Sequence, residues 1–469
     1  MLIDLLIYII FYVYLYAFLI VINKFFRFII TLGYLDFYYF LLIILVMLFL
    51  FLYEYCFIYN YIYNSFDNLL TYFNINYFFD EISQSSFLLC LFVSVFFFFI
   101  LVLSKPIIIV KSAVLNIILI IFLSLMFIYS NSIFIIFISF ELLLLVSLNL
   151  LKLTSKSERI LEAVGEMFLW TLFGSFFLLL SVFLIFNFYN PYLDFFYNYN
   201  VFNNILSIFI LLGFGVKIPI WPCLSWLLKA HVEASVEFSI LLSGFIVKLG
   251  ILGLIRILDN YLNNHMLYLL ISLCILAIFD ATLRLFAQQD LKRIVALTTV
   301  IEMNWLMLCF LLGDSQNLFL ANFLIIAHVF STTSEFLLVE CLSKRFNSRD
   351  VLFIGSLWYN SPNLWYISIF IIFITIGFPG TSIFLAKFLF LPTLLNYSLL
   401  IYIYILIVFF LVLPIFFIRI WLPLWFGLYY KYNINFYDLS KKEFFIFFIS
   451  ILFSILLGLF PNFFLYIFI

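Results

Sequence analysis

Charge is what this sequence has least of. Only 10% of its 469 residues are Asp, Glu, Lys or Arg, and the formal net charge is −1. Soluble globular chains carry about 25% charged residues, so charge this sparse excludes a water-facing fold. A net charge so close to zero also lacks the basic footprint of a nucleic-acid binder, and no nucleic acid partner is expected. No glycine-rich loop, low-complexity linker or charge block marks off a soluble domain. The three histidines (His231, His265, His328) and six cysteines (Cys56, Cys90, Cys223, Cys274, Cys309, Cys341) are scattered, with no CxxC spacing. They make no haem, zinc or iron–sulfur framework, so no redox centre or metal site is expected in this chain.

What fills the space is apolar. The chain is 68% hydrophobic with a mean hydropathy of +1.29, which defines an all-α polytopic membrane protein. The 69 phenylalanines and 31 tyrosines suggest a coding sequence drifted towards A and T, as organellar genomes are. About fourteen apolar runs come near the roughly 20 residues a bilayer crossing needs. They lie at 3–23, 36–58, 86–104, 107–128, 132–152, 163–187, 203–225, 235–258, 266–286, 291–312, 317–342, 363–388, 392–425 and 443–468. The first run is too long for a signal peptide and has no basic n-region or small-residue cleavage site, so no cleavable signal is expected.

Basic residues follow the odd-numbered runs: Lys24 and Arg27; Lys105 and Lys111; Lys152, Lys156 and Arg159; Lys229; Arg284, Lys292 and Arg293; Lys344, Arg345 and Arg349; Lys431, Lys441 and Lys442. The alternate connections hold Asp67, Asp80, Glu81, Asp194, Asp259 and Asp314 instead. This alternation predicts that every odd-to-even connection faces the cytosol-like side, the matrix for a mitochondrion. Arg256 and Arg419 lie near run ends, where long side chains snorkel to the interface. Lys217, Lys248 and Lys387 lie inside runs, where a lysine costs about 2.5–3.5 kcal/mol on insertion scales and marks an ion path.

Two runs are interrupted. Pro219 and Pro222 follow Lys217, and Gly377-Phe378-Pro379-Gly380 precedes Lys387. Proline removes a backbone donor, and in a bilayer such a break persists only where it is buried in protein or lines a wet cavity. Broken segments in corresponding places of two halves point to inverted-topology repeats, here runs 4–8 and 9–13, with broken helices 7 and 12. The expected division is 1–104 (helices 1–3), 105–258 (first half), 259–425 (second half) and 426–469 (C-terminal helix).

Five sequence blocks then occur in order: Val216-Lys217-Ile218-Pro219, Trp226-Leu227, Lys229-Ala230-His231-Val232-Glu233-Ala234, Val247-Lys248-Leu249-Gly250 and Gly253-Leu254-Ile255-Arg256. Together they resemble the VK-P, WLP-AHVEAP and KLG-YG-R pattern of the antiporter-like subunits of respiratory complex I. Ser139-Phe140-Glu141-Leu142, Asp290-Leu291-Lys292-Arg293, Ala327-His328 with Ser331, and Gly377-Phe378-Pro379-Gly380 extend the resemblance over about 139–390. The AHVEA run favours the subunit 4 branch over the sister subunits 2 and 5. The chain departs from that branch at three places: Ser235 stands where a proline is usual, Glu302 where a histidine is, and Lys387 where a glutamate is.

The resemblance implies a proton relay through Glu141, Lys217, Lys248 and Lys387, with Glu141 paired to Lys217 and with His328 and Glu302 lining a central axis. For a buried acid and lysine, desolvation disfavours the charged forms while proximity favours them, so small movements can switch the pair. His231 and Glu233 read as caps for the start of run 8, and Lys292, opening run 10, reads equally well as a snorkelling anchor. Glu335 reads as a relay member or as polar packing, and Asp280 with Arg284 as a local i,i+4 pair.

By resemblance the chain is a proton-translocating membrane-arm subunit of NADH:ubiquinone oxidoreductase in the mitochondrial inner membrane. NADH, FMN, iron–sulfur clusters and ubiquinone would belong to partner subunits. Its partners would be other membrane-arm subunits, including the sister antiporter-like ones, and membrane lipid. Two other readings compete: a cation/proton antiporter subunit outside any redox complex, and a non-transporting scaffold. Sodium sites want carboxylate and carbonyl oxygens rather than a file of lysines, and a scaffold explains none of the buried charges.

Overall fold

In lipid, a backbone amide must find its partner within its own segment, which makes the helix the solution for a long apolar run. A computed structural model describes residues 86–87, 90–98, 101, 107–130, 133–155, 158–188, 200–258, 264–312, 315–427 and 437–461. The fourth to fourteenth runs are all helical there. The first two runs lie outside the described residues, and the third is described in part, as helix.

In chain order, α1 (Ile107–Tyr129), α2 (Ile133–Thr154) and α3 (Ile160–Phe188) are unbroken. The seventh run is split into α4 (Asn200–Lys217) and α5 (Ser225–Glu233). The eighth is α6 (Val236–Leu241) and α7 (Val247–Leu258), joined by a π-helical turn at Leu242–Ile246. Next come α8 (Asn264–Ala287), α9 (Leu291–Leu311) and α10 (Ser315–Phe346). The twelfth run is split into α11 (Pro362–Ile376) and α12 (Ser382–Tyr397). The thirteenth is α13 (Leu399–Ile407) and α14 (Leu413–Phe426), joined by a second π turn at Val408–Val412, and α15 (Lys441–Leu459) follows. Each group of five runs therefore has a broken fourth member and a π-widened fifth. The breaks follow from proline and glycine, whereas nothing in the hydrophobic pattern announces the π turns. Two boundaries also differ from expectation. The seventh run continues as helix to Glu233 and does not end at 225, so Lys229, His231 and Glu233 lie on α5. The thirteenth run starts at Leu399 and not at 392, because Pro392 lies inside α12 and Ser398 caps the next helix by accepting from the Ile401 N–H at 3.2 Å.

Polar contacts tie the odd-to-even connections into one face of the bundle. Lys229 pairs with Glu166, and with Glu162 at 3.3 Å, joining α5 to α3. Lys292 donates to the carbonyls of Ala234 and Val232, and Arg349 also donates to Val232 at 2.8 Å. A backbone bridge links Asp290 with Asp350. Arg345 donates to the carbonyl of Tyr437 at 3.0 Å and to Glu443 at 2.9 Å. At the opposite end, Arg256 donates to Phe127 O at 3.3 Å, tying α7 to α1.

One expectation changes: Lys292 is buried and bonded, so it is no snorkelling anchor. Arg345 is likewise buried and bonded, and Arg256 donates to a neighbouring helix. A long cation that reaches an unpaired helix-end carbonyl gains a charge-assisted bond that water would otherwise supply.

The spans of α9 and α10 are wholly enclosed, and the α6–α7 span is nearly so. By contrast α1–α3 and α13–α14 present wide apolar faces outward. Polar side chains concentrate in the enclosed centre: Asn322, His328, Ser331, Thr332, Thr333, Ser334 and Glu335 are all buried on α10.

Candidate functional site

The first break ends α4 at Lys217. Backbone turns meet Phe214 O and Gly215 O, and side chains meet two further carbonyls: Trp226 Nε1 donates to Val216 O at 2.8 Å and Asn304 to Pro219 O at 3.3 Å. Lys217 Nζ lies 3.0 Å from Glu141 Oε1 and 3.4 Å from the centre of the Phe140 ring. Both the carboxylate and the ring come from α2, so one helix supplies a counter-charge and a cation–π face to a desolvated ammonium. A cavity of about 30 Å³ adjoins the pair, lined by Lys217, Ser147, Thr171, Trp226, Val247 and Leu249. That volume exceeds the roughly 10–15 Å³ a single water needs, and Lys217, Ser147 and Thr171 are polar residues in a mostly apolar lining. Val247 and Leu249 flank Lys248, which places the cavity wall next to the second lysine of the file.

Lys248 is fully buried, on the first turn of α7 after the π turn. Its Nζ donates to Ile325 O of α10 at 3.0 Å, and the Cys90 thiol approaches the same oxygen at 3.6 Å. The acceptor belongs to an unbroken helix. Single π turns inside α-helices are frequent at functional sites, because they shift the side chains that follow.

Three residues further along α10, His328 Nε2 lies 3.7 Å from Glu302 Oε2. The other oxygen of Glu302 is 3.4 Å from Lys387 Nζ, which also stands 4.4 Å from the centre of the Phe409 ring in the second π turn. Glu335 accepts from the Thr298 hydroxyl at 3.3 Å and lies within electrostatic range of Glu302 and Lys387. Glu302 is thus the hub of a buried cluster that includes His328 and Lys387. The structure brings together all three second-half residues singled out in the sequence, and it adds Phe409 and Thr298. Those two carry no signal in sequence, since a phenylalanine among 69 and a threonine inside a helix are unremarked.

Two further expectations change. His231 and Glu233 do not cap the eighth run: the N-cap is Ser235, whose side chain accepts from the Phe238 N–H. His231 is buried instead, stacked on Phe336 at 5.1 Å between ring centroids. Asp280 and Arg284 do form their local pair, at 2.8 Å. Among the described residues no group of three or more His, Cys, Asp or Glu side chains is placed to hold a metal.

A helical membrane bundle with two broken helices and buried acid–lysine pairs beside them defines the class: an antiporter-like membrane subunit. The sequence profile of the NADH:quinone oxidoreductase/Mrp antiporter transmembrane family matches residues 130–414, and the chain belongs to that family. It is 35% identical over 238 residues to the NADH-ubiquinone oxidoreductase chain 4 of Paramecium tetraurelia, covering 50% of each chain. The protein of the same name from Acanthamoeba castellanii is 29% identical over 316 residues, 64% of this chain and 62% of the relative. The chain thus spans about half to somewhat under two thirds of the length of these curated relatives. Among solved structures, a chain of respiratory complex I from Thermus thermophilus with bound NADH superposes with a TM-score of 0.71. Its identity is 20%, and 83% of each chain is covered, a likeness of fold.

Proposed function

We propose that this chain is a proton-translocating membrane-arm subunit of NADH:ubiquinone oxidoreductase, of the subunit 4 type, in the mitochondrial inner membrane. NADH, flavin, iron–sulfur clusters and quinone are bound by partner subunits, and the basic face of the bundle is turned to the matrix. The names of its relatives support the complex, and the observation that carries the activity is the Glu141–Lys217 pair, closed at 3.0 Å against a broken helix and a water-sized cavity.

In this reading Lys217 holds a proton as an ammonium ion while Glu141 is close. When the pair opens, the ammonium loses the partner that stabilises it in a low-dielectric site, and its proton passes through the cavity towards Lys248. From Lys248 it moves along the polar centre through His328 and Glu302, and Lys387 discharges it across the membrane. The antiporter reading shares the family and the fold but gains no separate support from the residues.

Replacing Lys217 by Met in the intact complex tests this. Assembly is measured independently, and proton pumping is followed during NADH oxidation. The expected result is an assembled complex whose pumping and quinone-linked turnover fall together, by about two orders of magnitude if proton transfer by a positioned group is lost. Native rates of both in an assembled complex would return the buried lysines to a scaffold role.

A further inference from the structure

Resting on the proton-relay reading, we infer that Glu302 and Lys387 form a second ion-pair gate, the second-half counterpart of Glu141 and Lys217, with Glu302 the residue whose protonation releases the proton of Lys387. Four observations carry this. The acid of each pair sits on the second helix of its five-run group, α2 and α9, and the lysine on the fourth, at the end of α4 and in α12. Both pairs are closed, at 3.0 and 3.4 Å. In each, an aromatic ring covers the ammonium, Phe140 or Phe409. The second pair is also the deeper, with side-chain exposures of 11% for Glu302 and 3% for Lys387, against 23% and 9% for Glu141 and Lys217.

Depth changes what Lys387 can do. An ammonium paired to a carboxylate away from water is held charged, and it surrenders a proton only when that carboxylate is neutralised. Glu302 can be neutralised from within the cluster. His328 faces it at 3.7 Å, and Lys248 lies within electrostatic range of both. Glu335, bonded to Thr298, is the remaining acid facing the pair.

The step balances with one proton in and one out. A proton leaving the Lys248 ammonium reaches the Glu302 carboxylate by way of His328, and the O–H bond formed cancels the charge that held Lys387. The N–H bond of Lys387 then breaks as a water on the exit side takes the proton. The Glu302 carboxyl afterwards passes its proton to the neutral Lys387 amine, which restores the pair.

The test compares Glu302→Gln, Glu302→Asp and Lys217→Met in the intact complex, each with assembly, turnover and pumping measured. Glu302→Gln keeps size and hydrogen bonding but cannot titrate, and is expected to lower coupled turnover at least tenfold. Glu302→Asp, which retains a carboxyl group, is expected to recover at least a third of the native rate. If Glu302→Gln assembles and pumps natively while Lys217→Met does not, the gate is wrong and the relay stands. If Lys217→Met also pumps natively, both fall. An Asp variant no better than Gln makes the site one of packing and overturns the gate. Should Glu302→Gln fail to assemble, infrared difference spectra of the native and Asp complexes decide. A carboxylic-acid band that arises under turnover and shifts with Asp supports the gate, and an unchanged spectrum overturns it.

Discussion

The two broken helices solve one problem in different ways. At the first break, local turns such as Ile220 N–H to Gly215 O at 3.1 Å are supplemented by side chains: Trp226 satisfies Val216 O, and Asn304 reaches Pro219 O from α9 in the other half. At the second, the backbone repairs itself. Gly377 at φ 81° closes α11 in a Schellman turn, with Phe378 N–H donating to Phe373 O at 2.9 Å and Gly377 N–H to Ile374 O at 3.1 Å. Thr381 then caps α12 by accepting from the Phe384 N–H. The last helix lies over this turn, with Gly458 against the backbone at Gly380. The first break is thus coupled to the opposite half through side chains, whereas the second is a self-contained turn with a helix laid over it. Movement at the first can be sensed by α9, which also carries Glu302.

If that contrast is right, the breaks should fail for different reasons. The largest effect is expected at the docking of α15. A Cβ on Gly458 would stand 2.3 Å from Gly380 O and 2.5 Å from Thr381 C, both backbone atoms that cannot swing aside. Gly458→Ala should cost about 3 kcal/mol, the upper part of the usual overpacking range. It would be read as reduced assembly and a lower thermal midpoint of the complex.

Trp226→Phe comes next. It keeps the ring but strands Val216 O in a buried site, and an unsatisfied buried acceptor costs about 2 kcal/mol. Because the lost bond lies beside Lys217, turnover should fall by more than the stability loss explains. Equal loss in both would argue that the break is merely structural.

Gly377→Ala is smaller. It places a side chain at φ 81°, which costs about 1–2 kcal/mol in the left-handed region. Thermal midpoints of the assembled complex should fall modestly, with turnover near normal. A collapse of turnover there would show the second break to be as coupled as the first.

Much of this architecture is legible in the sequence, for physical reasons. Lipid enforces run length, so helix positions from residue 107 onward follow from hydropathy. Proline and glycine announce both breaks. A buried lysine is costly enough that Lys217, Lys248 and Lys387 stand out unaided. What escapes is anything decided by the meeting of distant helices. The resemblance places Glu302 on a central axis with His328, but its pairing with Lys387 emerges only where α9 meets α10 and α12. The π turns escape because a five-residue widening leaves apolar composition unchanged. The basic residues mislead in a more instructive way. Alternation groups them by connection, but it cannot tell a solvent-facing charge from Lys292 or Arg345, which are buried and bonded to backbone carbonyls.

The smallest expected effect concerns Ser235, which stands where the resembling subunits usually have proline. The backbone there is already suited to one: Ser235 has φ −69°, and Ala234 before it is extended at φ −64° and ψ 159°. Proline fixes φ near that value and favours an extended predecessor, so Ser235→Pro should fit without strain. It would lose the cap from the serine side chain to Phe238 N–H, a long bond at 3.4 Å, and with it about 0.5–1 kcal/mol. It would gain about 0.4–1 kcal/mol by restricting the unfolded chain. The two nearly cancel, so thermal midpoints of native and Ser235→Pro complexes should agree closely. Ser235→Ala loses the cap with no compensating restriction and should be measurably less stable than either. If the proline variant proved as weak as the alanine one, the backbone at this connection would not be preset. The tie from Lys292 and Arg349 to Val232 and Ala234, rather than local conformation, would then be what fixes the junction between the first break and α6.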